Sequence, residues 1–342
     1  MVKIVARAPT RIDLAGGTLD LWPIHQLLRR KATVNVAVTL AAETEISKSE
    51  DGFFHFISKD QQITFCGDFA AACSFQRLPL LAFCLEALWH AELPPITLRT
   101  TAKSPAGAGL GGSSCLAITV CAALRRARAH WDAEAPSWDE KQLVATAQDI
   151  EARLIEAPTG VQDYWAPIRG GVNVLRFNPG DTVVTTTPPS KLPGLNDRMI
   201  LCYSGQTRAS AINNWEIFKR VFDGDKDLLQ KFAEIGATAE ACAEEISRGN
   251  LDGVLKFSKQ EWLLRCQLWP NIVTDATKRL EASATKAGAD FSRVCGAGGG
   301  GVMTIFTPPT RRAEVIKALA EAGGTVLDSV AADQGLHLKV DL

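Results

Sequence analysis

Ser104-Pro105-Ala106-Gly107-Ala108-Gly109-Leu110-Gly111-Gly112-Ser113-Ser114 lies between a β-branched segment, Ile96–Ala102, and an Ala/Leu-rich segment, Cys115–His130, without Gly or Pro. The pattern predicts a strand, a glycine loop and a helix starting near Ser113. Glycines let successive backbone N–H groups turn into one concavity, and the helix start adds unpaired N–H groups and the positive end of its dipole. That combination suits an anion such as phosphate. Ser113 and Ser114 can cap the helix, donate to phosphate oxygens or ligate a magnesium ion.

Two other anion loops compete. A Walker loop needs Gly-Lys followed by Ser or Thr, and no Gly-Lys dipeptide occurs in the chain. The dinucleotide pattern GxGxxG matches through Gly107, Gly109 and Gly112, but it belongs to a βαβ unit with an acidic residue ending the second strand. The candidates here, Asp132 and Glu134, fall in a polar loop after the helix, so a dinucleotide-dependent oxidoreductase is disfavoured.

Working outward, Val2–Arg7 reads as a strand followed by a turn-like Pro9–Gly17. Thr33–Leu40, Thr44–Lys48, Phe53–Ser58 and Ile63–Phe65 read as strands, and residues 69–91 as one or two helices. Ser137 is the expected cap of a helix that Pro158-Thr159-Gly160 breaks. Gly170-Gly171 and Val172–Phe177 read as a turn and strand, and residues 188–193 as a linker. Beyond it come a strand (Met199–Tyr203), helical segments over Asn213–Arg248, Leu251–Leu268 and Val273–Ala287, and a strand–glycine loop–strand unit over residues 291–306. A helix (Arg311–Ala322) and strands at 325–329 and 336–340 close the chain. Strands and helices mix without strict alternation, the mark of an α+β fold, and 342 residues suit two domains.

The formal net charge of −1 leaves no whole-chain field for nucleic acid or anionic membrane. No apolar run approaches the ~18 residues that span a bilayer, and the N-terminus lacks a signal-peptide pattern. The nine cysteines are an odd count with no CxxC pair, and the five histidines (25, 55, 90, 130 and 337) show no metal-ligand spacing. Reduced thiols, no zinc site and a cytoplasmic location are expected.

Pro105–Ser114 resembles the second signature of the GHMP kinases, the superfamily of galactokinase, homoserine kinase, mevalonate kinase and phosphomevalonate kinase. Two more segments stand in the expected order. Ala8-Pro9-Thr10-Arg11-Ile12-Asp13-Leu14-Ala15-Gly16-Gly17-Thr18-Leu19-Asp20 resembles the substrate-side motif, and Cys295-Gly296-Ala297-Gly298-Gly299-Gly300-Gly301 the third, nucleotide-closing loop. The Ala-Gly-Gly wording, Gly160-Val161-Gln162-Asp163-Tyr164, Gly170-Gly171-Val172-Asn173 and Ser204-Gly205-Gln206-Thr207-Arg208 are similar to the branch of D-glycero-D-manno-heptose 7-phosphate kinase and fucokinase. Thr18-Leu19-Asp20 and Tyr164 depart from the heptose enzyme's pattern, both on the substrate side.

The resemblance implies a two-domain fold: an N-terminal domain like ribosomal protein S5 domain 2 over residues 1–188, and a ferredoxin-like C-terminal domain over 189–342. It implies a kinase moving the γ-phosphate of ATP to a hydroxyl of a sugar or sugar phosphate, with the anomeric hydroxyl of a heptose 7-phosphate the leading acceptor. Fucose, galactose and mevalonate or phosphomevalonate are the alternatives. Pro105, Gly107, Gly109, Leu110, Gly111, Gly112, Ser113 and Ser114 would hold the nucleotide, and Ser114 with Glu151 a Mg2+ ion. Asp163 would serve the acceptor hydroxyl, and Arg11 would pair with Asp163 and neutralise charge on the transferring group. Gly16, Gly17, Asp20, Thr207, Arg208, Gly298 and Gly299 fall on the substrate side. A monomer or homodimer acting on a small molecule, with neither nucleic acid nor membrane as partner, completes the expectation.

Overall fold

The computed structural model describes residues 2–132, 137–207 and 211–341. Its first sheet contains β1 (Lys3–Ala15), β2 (Ala32–Lys48), β3 (Phe54–Ser58), β4 (Ile63–Gly67), β5 (Ile96–Ala102), β6 (Val172–Asn178), β7 (Asp181–Thr187) and, from the far end of the chain, β12 (His337–Asp341). The order is β12-β1-β2-β5-β3-β4, with β6 also pairing β2 and carrying β7 beyond it. Helices α1 (Phe69–Cys73), α2 (Pro79–Leu88), α3 (Gly112–Trp131), α4 (Glu140–Ile155) and α5 (Gln162–Arg169) belong to this half. One core cluster joins β1, β2, β3 and β5 to α2–α5 through residues such as Ile4, Ile46, Phe56, Leu98, Leu85, Ile118 and Tyr164.

The second half has α6 (Leu195–Arg198), β8 (Met199–Tyr203), α7 (Ala211–Phe222), α8 (Lys226–Arg248), α9 (Leu251–Arg265), α10 (Asp275–Lys286), β9 (Phe291–Val294), β10 (Val302–Phe306), α11 (Arg312–Glu321) and β11 (Thr325–Leu327). Its four strands pair antiparallel in the order β11-β8-β10-β9. With helices between β8 and β9 and between β10 and β11, this is the ferredoxin-like arrangement, and the whole is α+β as expected. A second core cluster welds the two sheets: Ile12, Leu14, Val34 and Val36 meet Leu201, Val302 and Phe306, and Ala239, Cys242 and Val254 of α8 and α9.

Several boundaries differ from those expected. The turn read at Pro9–Gly17 is instead the second half of β1, which runs to Ala15. Pro9 has no N–H for the ladder, and the β1–β2 register shifts between Pro9 and Thr10, then again between Asp13 and Ala15. The strand beyond Pro9 carries Arg11 and Asp13 on one face, which disguised it as polar loop. Thr33–Leu40 and Thr44–Lys48 are parts of one strand, β2. Ser137 does not cap α4; Asp139 does, in a capping box with Gln142. The segment 213–248 divides at Gly224 (φ +95°) into α7 and α8. Helix α5, not foreseen, contains Pro167 and yet forms about two turns soon after Gly160, burying Tyr164, Trp165 and Ile168.

Candidate active site

Strand β5 delivers the chain to the glycine loop, which lines a cavity of about 910 Å³ with Ser104, Pro105, Gly107, Gly109, Gly111, Gly112, Ser113 and Ser114. Gly107, Gly109 and Gly111 have φ of +64°, +80° and +68°, a region costly to residues with a Cβ. Gly111 is the N-cap of α3 and no side chain caps that helix, so its first-turn N–H groups are available to an anion in the cavity. Leu110, expected on the nucleotide, turns the other way: its side chain is core, and its carbonyl accepts from the Arg11 N–H at 3.0 Å.

Arg11, near the middle of β1, crosses under this loop. Its Nε donates to Asp163 Oδ1 at 2.5 Å, its Nη2 forms an ion pair with the same oxygen, and its Nη1 donates to the Gly109 carbonyl at 2.6 Å. Burial would lower the guanidinium pKa, but Asp163 and Asp13 overrule it and hold Arg11 above its ordinary value. Asp163 stands in the first turn of α5, against the glycine loop: a Cβ on Gly111 would lie 3.2 Å from its Oδ1.

Glu151, in the last turns of α4, is buried with Ser114. The Ser114 hydroxyl donates to Glu151 Oε2 at 2.5 Å, and the Tyr164 hydroxyl lies 2.7 Å from the same oxygen and 2.9 Å from Thr159 Oγ1. Desolvation raises the Glu151 pKa, opposed by hydrogen bonds from Ser113, Ser114 and Tyr164. Tyr164 was not anticipated as a site residue. Its place beside Asp163 in the sequence was the available signal.

Asp20 lines the same cavity, its Oδ2 accepting from the Gln162 N–H at 3.1 Å. Burial, reinforced by the nearby Asp163 charge, pushes its pKa up to about 6. Thr18, also lining the cavity, has φ +76°, unusual for a β-branched residue and a mark of an over-determined turn. Gly16 and Gly17, expected on the substrate, instead pack behind that turn. A Cβ on Gly16 would sit 2.1 Å from the Ala32 carbonyl oxygen, and one on Gly17 would sit 2.4 Å from the Arg265 guanidinium.

Of the third glycine segment, Gly296 and Ala297 line the cavity. Gly298 and Gly299 do not; they rest on residues 271–272, with the Gly299 N–H donating to the Ile272 carbonyl at 2.9 Å. The segment meets the first glycine loop through the Val302 N–H, which donates to the Ala108 carbonyl at 2.7 Å. Thr207 is exposed and outside the cavity lining, and Arg208 lies outside the described residues.

Against the cavity wall, to which Arg265 contributes, lies a buried ionic cluster that no sequence motif announced. Asp13 accepts from Arg265 and Arg293 at 2.8 Å each and from the Gly296 N–H at 2.8 Å. Arg265 also donates to the Gly296 carbonyl, while Glu261 pairs with Arg293 at 3.0 Å and accepts from the Gly16 N–H at 3.0 Å. Burial alone would raise the Asp13 pKa, but Arg293, Arg265 and Arg11 together hold the carboxyl well below the usual range. One aspartate thus ties the first motif to the third.

Residues 79–171 match the family model of the GHMP kinases N terminal domain. The chain is 26% identical to the D-glycero-alpha-D-manno-heptose 7-phosphate kinase of Campylobacter jejuni over 96% of each chain, and 22% identical to the mevalonate kinase of Thermococcus sibiricus over 99% of each. The crystal structure of a D-glycero-D-manno-heptose 1-phosphate kinase from Bacteroides thetaiotaomicron superposes with a TM-score of 0.77 at 20% identity, covering 98% of both chains. That of Lactococcus lactis galactokinase, complexed with galactose, superposes with a TM-score of 0.74 at 17% identity over 98% of this chain and 95% of its own. Residues 79–171 are a GHMP kinase N-terminal domain, and the chain as a whole has the two-sheet fold of the GHMP kinases.

Proposed function

We propose that this protein is an ATP-dependent sugar kinase that transfers the γ-phosphate to a hydroxyl of a sugar or sugar phosphate, with the anomeric hydroxyl of a heptose 7-phosphate as its acceptor. The observation that carries the reading is the Asp163 carboxylate, fixed by Arg11 against a glycine loop whose helix start is uncapped and faces a cavity large enough for both reactants. Phosphoryl transfer is mostly positioning and charge neutralisation, and these groups supply both.

The first-turn N–H groups of α3 and the loop amides bind phosphate oxygens. Leu78, Leu80, Leu81, Leu154 and Ile155 line the apolar side of the cavity and suit a base. Asp163 accepts the hydrogen bond of the acceptor hydroxyl, orients it toward the phosphorus and takes its proton as the new ester forms. Arg11 keeps Asp163 in one rotamer and neutralises charge at the reacting centre. Asp20 accepts hydrogen bonds from sugar hydroxyls, as an ionised carboxylate offers acceptors alone. Thr207, outside the cavity lining, takes no part in this reading, and Arg208 is assigned to a distal phosphate of the acceptor.

The donor set fits a magnesium ion. Ser114 Oγ and Glu151 Oε2 are hard oxygen ligands joined here by a hydrogen bond that a cation would replace, and a carboxylate whose burial raises its pKa gains from a cation. Ser114 and Glu151 would hold the ion, which would supply positive charge against the phosphates. Residues 1–188 would then carry nucleotide and catalysis, and residues 189–342 the closing loop and part of the acceptor site, in a soluble cytoplasmic protein. No helix among the described residues is long and apolar enough to cross a membrane.

The named relatives favour a sugar phosphate over mevalonate, and so do the Ala-Gly-Gly turn and the buried Asp20 facing the cavity. ADP release should be followed with ATP and Mg2+ against heptose 7-phosphate, fucose, galactose, glucuronate and mevalonate. The highest kcat/KM is expected with the heptose phosphate. Best turnover of a neutral sugar or of mevalonate would reject that acceptor.

A further inference from the structure

Outside the cavity lining, on the hairpin β3–β4, three side chains of different chemistry converge on one point. Asp51 comes from the turn that follows β2, His55 from β3, and Cys66 from β4, where it is the direct cross-strand partner of His55. Their ligand atoms all lie within 4.8 Å of one another. The Asp51 carboxylate oxygens are 2.9 and 3.0 Å from His55 Nε2, and Cys66 Sγ is 4.0 Å from that same nitrogen.

The shared nitrogen decides between two chemistries. A proton relay from thiol through imidazole to carboxylate uses both ring nitrogens, one for each neighbour. Here carboxylate and thiol meet at Nε2 alone, so the imidazole cannot pass a proton between them, whereas a cation in place of the proton would satisfy all three. Tetrahedral coordination with ligand bonds of 2.0–2.3 Å separates ligand atoms by about 3.3–3.8 Å, a spacing that small side-chain movements reach from the observed positions. The carboxylate is already oriented: the Ser49 hydroxyl and the Phe53 N–H donate to Oδ1 at 2.8 and 3.1 Å, which holds both carboxylate oxygens against His55 Nε2. Outer partners of this kind accompany metal ligands.

We propose that Asp51, His55 and Cys66 form a surface site for a divalent transition-metal ion of the zinc type. One nitrogen, one oxygen and one thiolate select Zn2+, Co2+ or Cd2+ over Mg2+, and three protein ligands leave a fourth position to water. The site escapes a reading of spacing along the chain. His55 and Cys66 are eleven residues apart in the chain, and the hairpin register alone brings them together. The other end of the hairpin supplies Ser58, Asp60 and Gln61 to the cavity, and Asp60 accepts from the Ala102 N–H at the foot of the glycine loop. A metal here would fasten the open end of an element whose turn borders the cavity.

The test is a Co2+ titration of the reduced, metal-free full chain in excess Mg2+. One equivalent should bind with tetrahedral d–d absorption and a thiolate-to-cobalt charge-transfer band, and Zn2+ should displace it. Cys66→Ser should abolish the charge-transfer band, and His55→Ala should weaken binding at least ~10-fold. Ser49→Ala, which spares all three ligands, should weaken it by about 10-fold. Cys66→Ser should keep the wild-type Tm in the absence of metal, because Cys66 is exposed. Failure to bind one equivalent, or a charge-transfer band that survives Cys66→Ser, would overturn the proposal.

Discussion

Asp163 can approach the glycine loop because Gly111 has no side chain, and Arg11 fixes it there from the strand beneath. Asp163→Asn keeps the size but loses the charge and the proton acceptor. Turnover should fall at least ~100-fold, with ATP affinity by calorimetry nearly unchanged. Asp20 gives a second prediction at this scale. Its folded pKa of about 6 exceeds the unfolded value of 3.8, so the native state binds the proton more tightly. Stability contributed by the neutral carboxyl is therefore full below pH ~4 and lost as pH rises through ~6, by on the order of 2–3 kcal/mol. Asp20→Asn should raise Tm above pH 6 relative to wild type, and the gain should shrink toward pH 4. The same ionisation should appear in catalysis, with KM for the acceptor rising as pH falls below ~6 in wild type and flat in the variant.

At the scale of elements, α3, α4 and α5 converge on one corner of the cavity and bring Ser114, Glu151 and Asp163 together. If Ser114 and Glu151 hold Mg2+, Ser114→Ala and Glu151→Gln should each raise the Mg2+ concentration giving half-maximal rate by about tenfold or more. An unchanged Mg2+ dependence in both would place the ion on other groups. The strand–glycine loop–α3 unit was legible in the sequence because its signals are local: β-branched residues, then glycines, then Ala and Leu. Helix α5 was not, since Pro167 and the preceding Pro158-Thr159-Gly160 read as breakers, while the burial of Tyr164 and Trp165 that compensates is tertiary. The far half of β1 was hidden likewise. Its polar face is buried against partners that no local pattern shows.

Across the whole molecule, the two sheets are joined by an apolar seam and by the ionic cluster around Asp13. Its partners Arg265 and Arg293 lie more than 250 residues away in the chain, which is why motif reading found Arg11 and Asp163 but not this network. Three buried arginines face Asp13, so Asp13→Asn leaves them under-compensated and should cost about 3–5 kcal/mol in urea unfolding. It should also loosen Gly296 and raise KM for ATP. The direct test of the central claim is 31P NMR of ATP, Mg2+ and heptose 7-phosphate incubated with wild type and with Asp163→Asn. Wild type should convert γ-phosphate into a new sugar phosphate ester with an equal amount of ADP, and the variant should form at least ~100-fold less in the same time. Formation of inorganic phosphate without any ester, or the ester at equal rates from both proteins, would contradict the account.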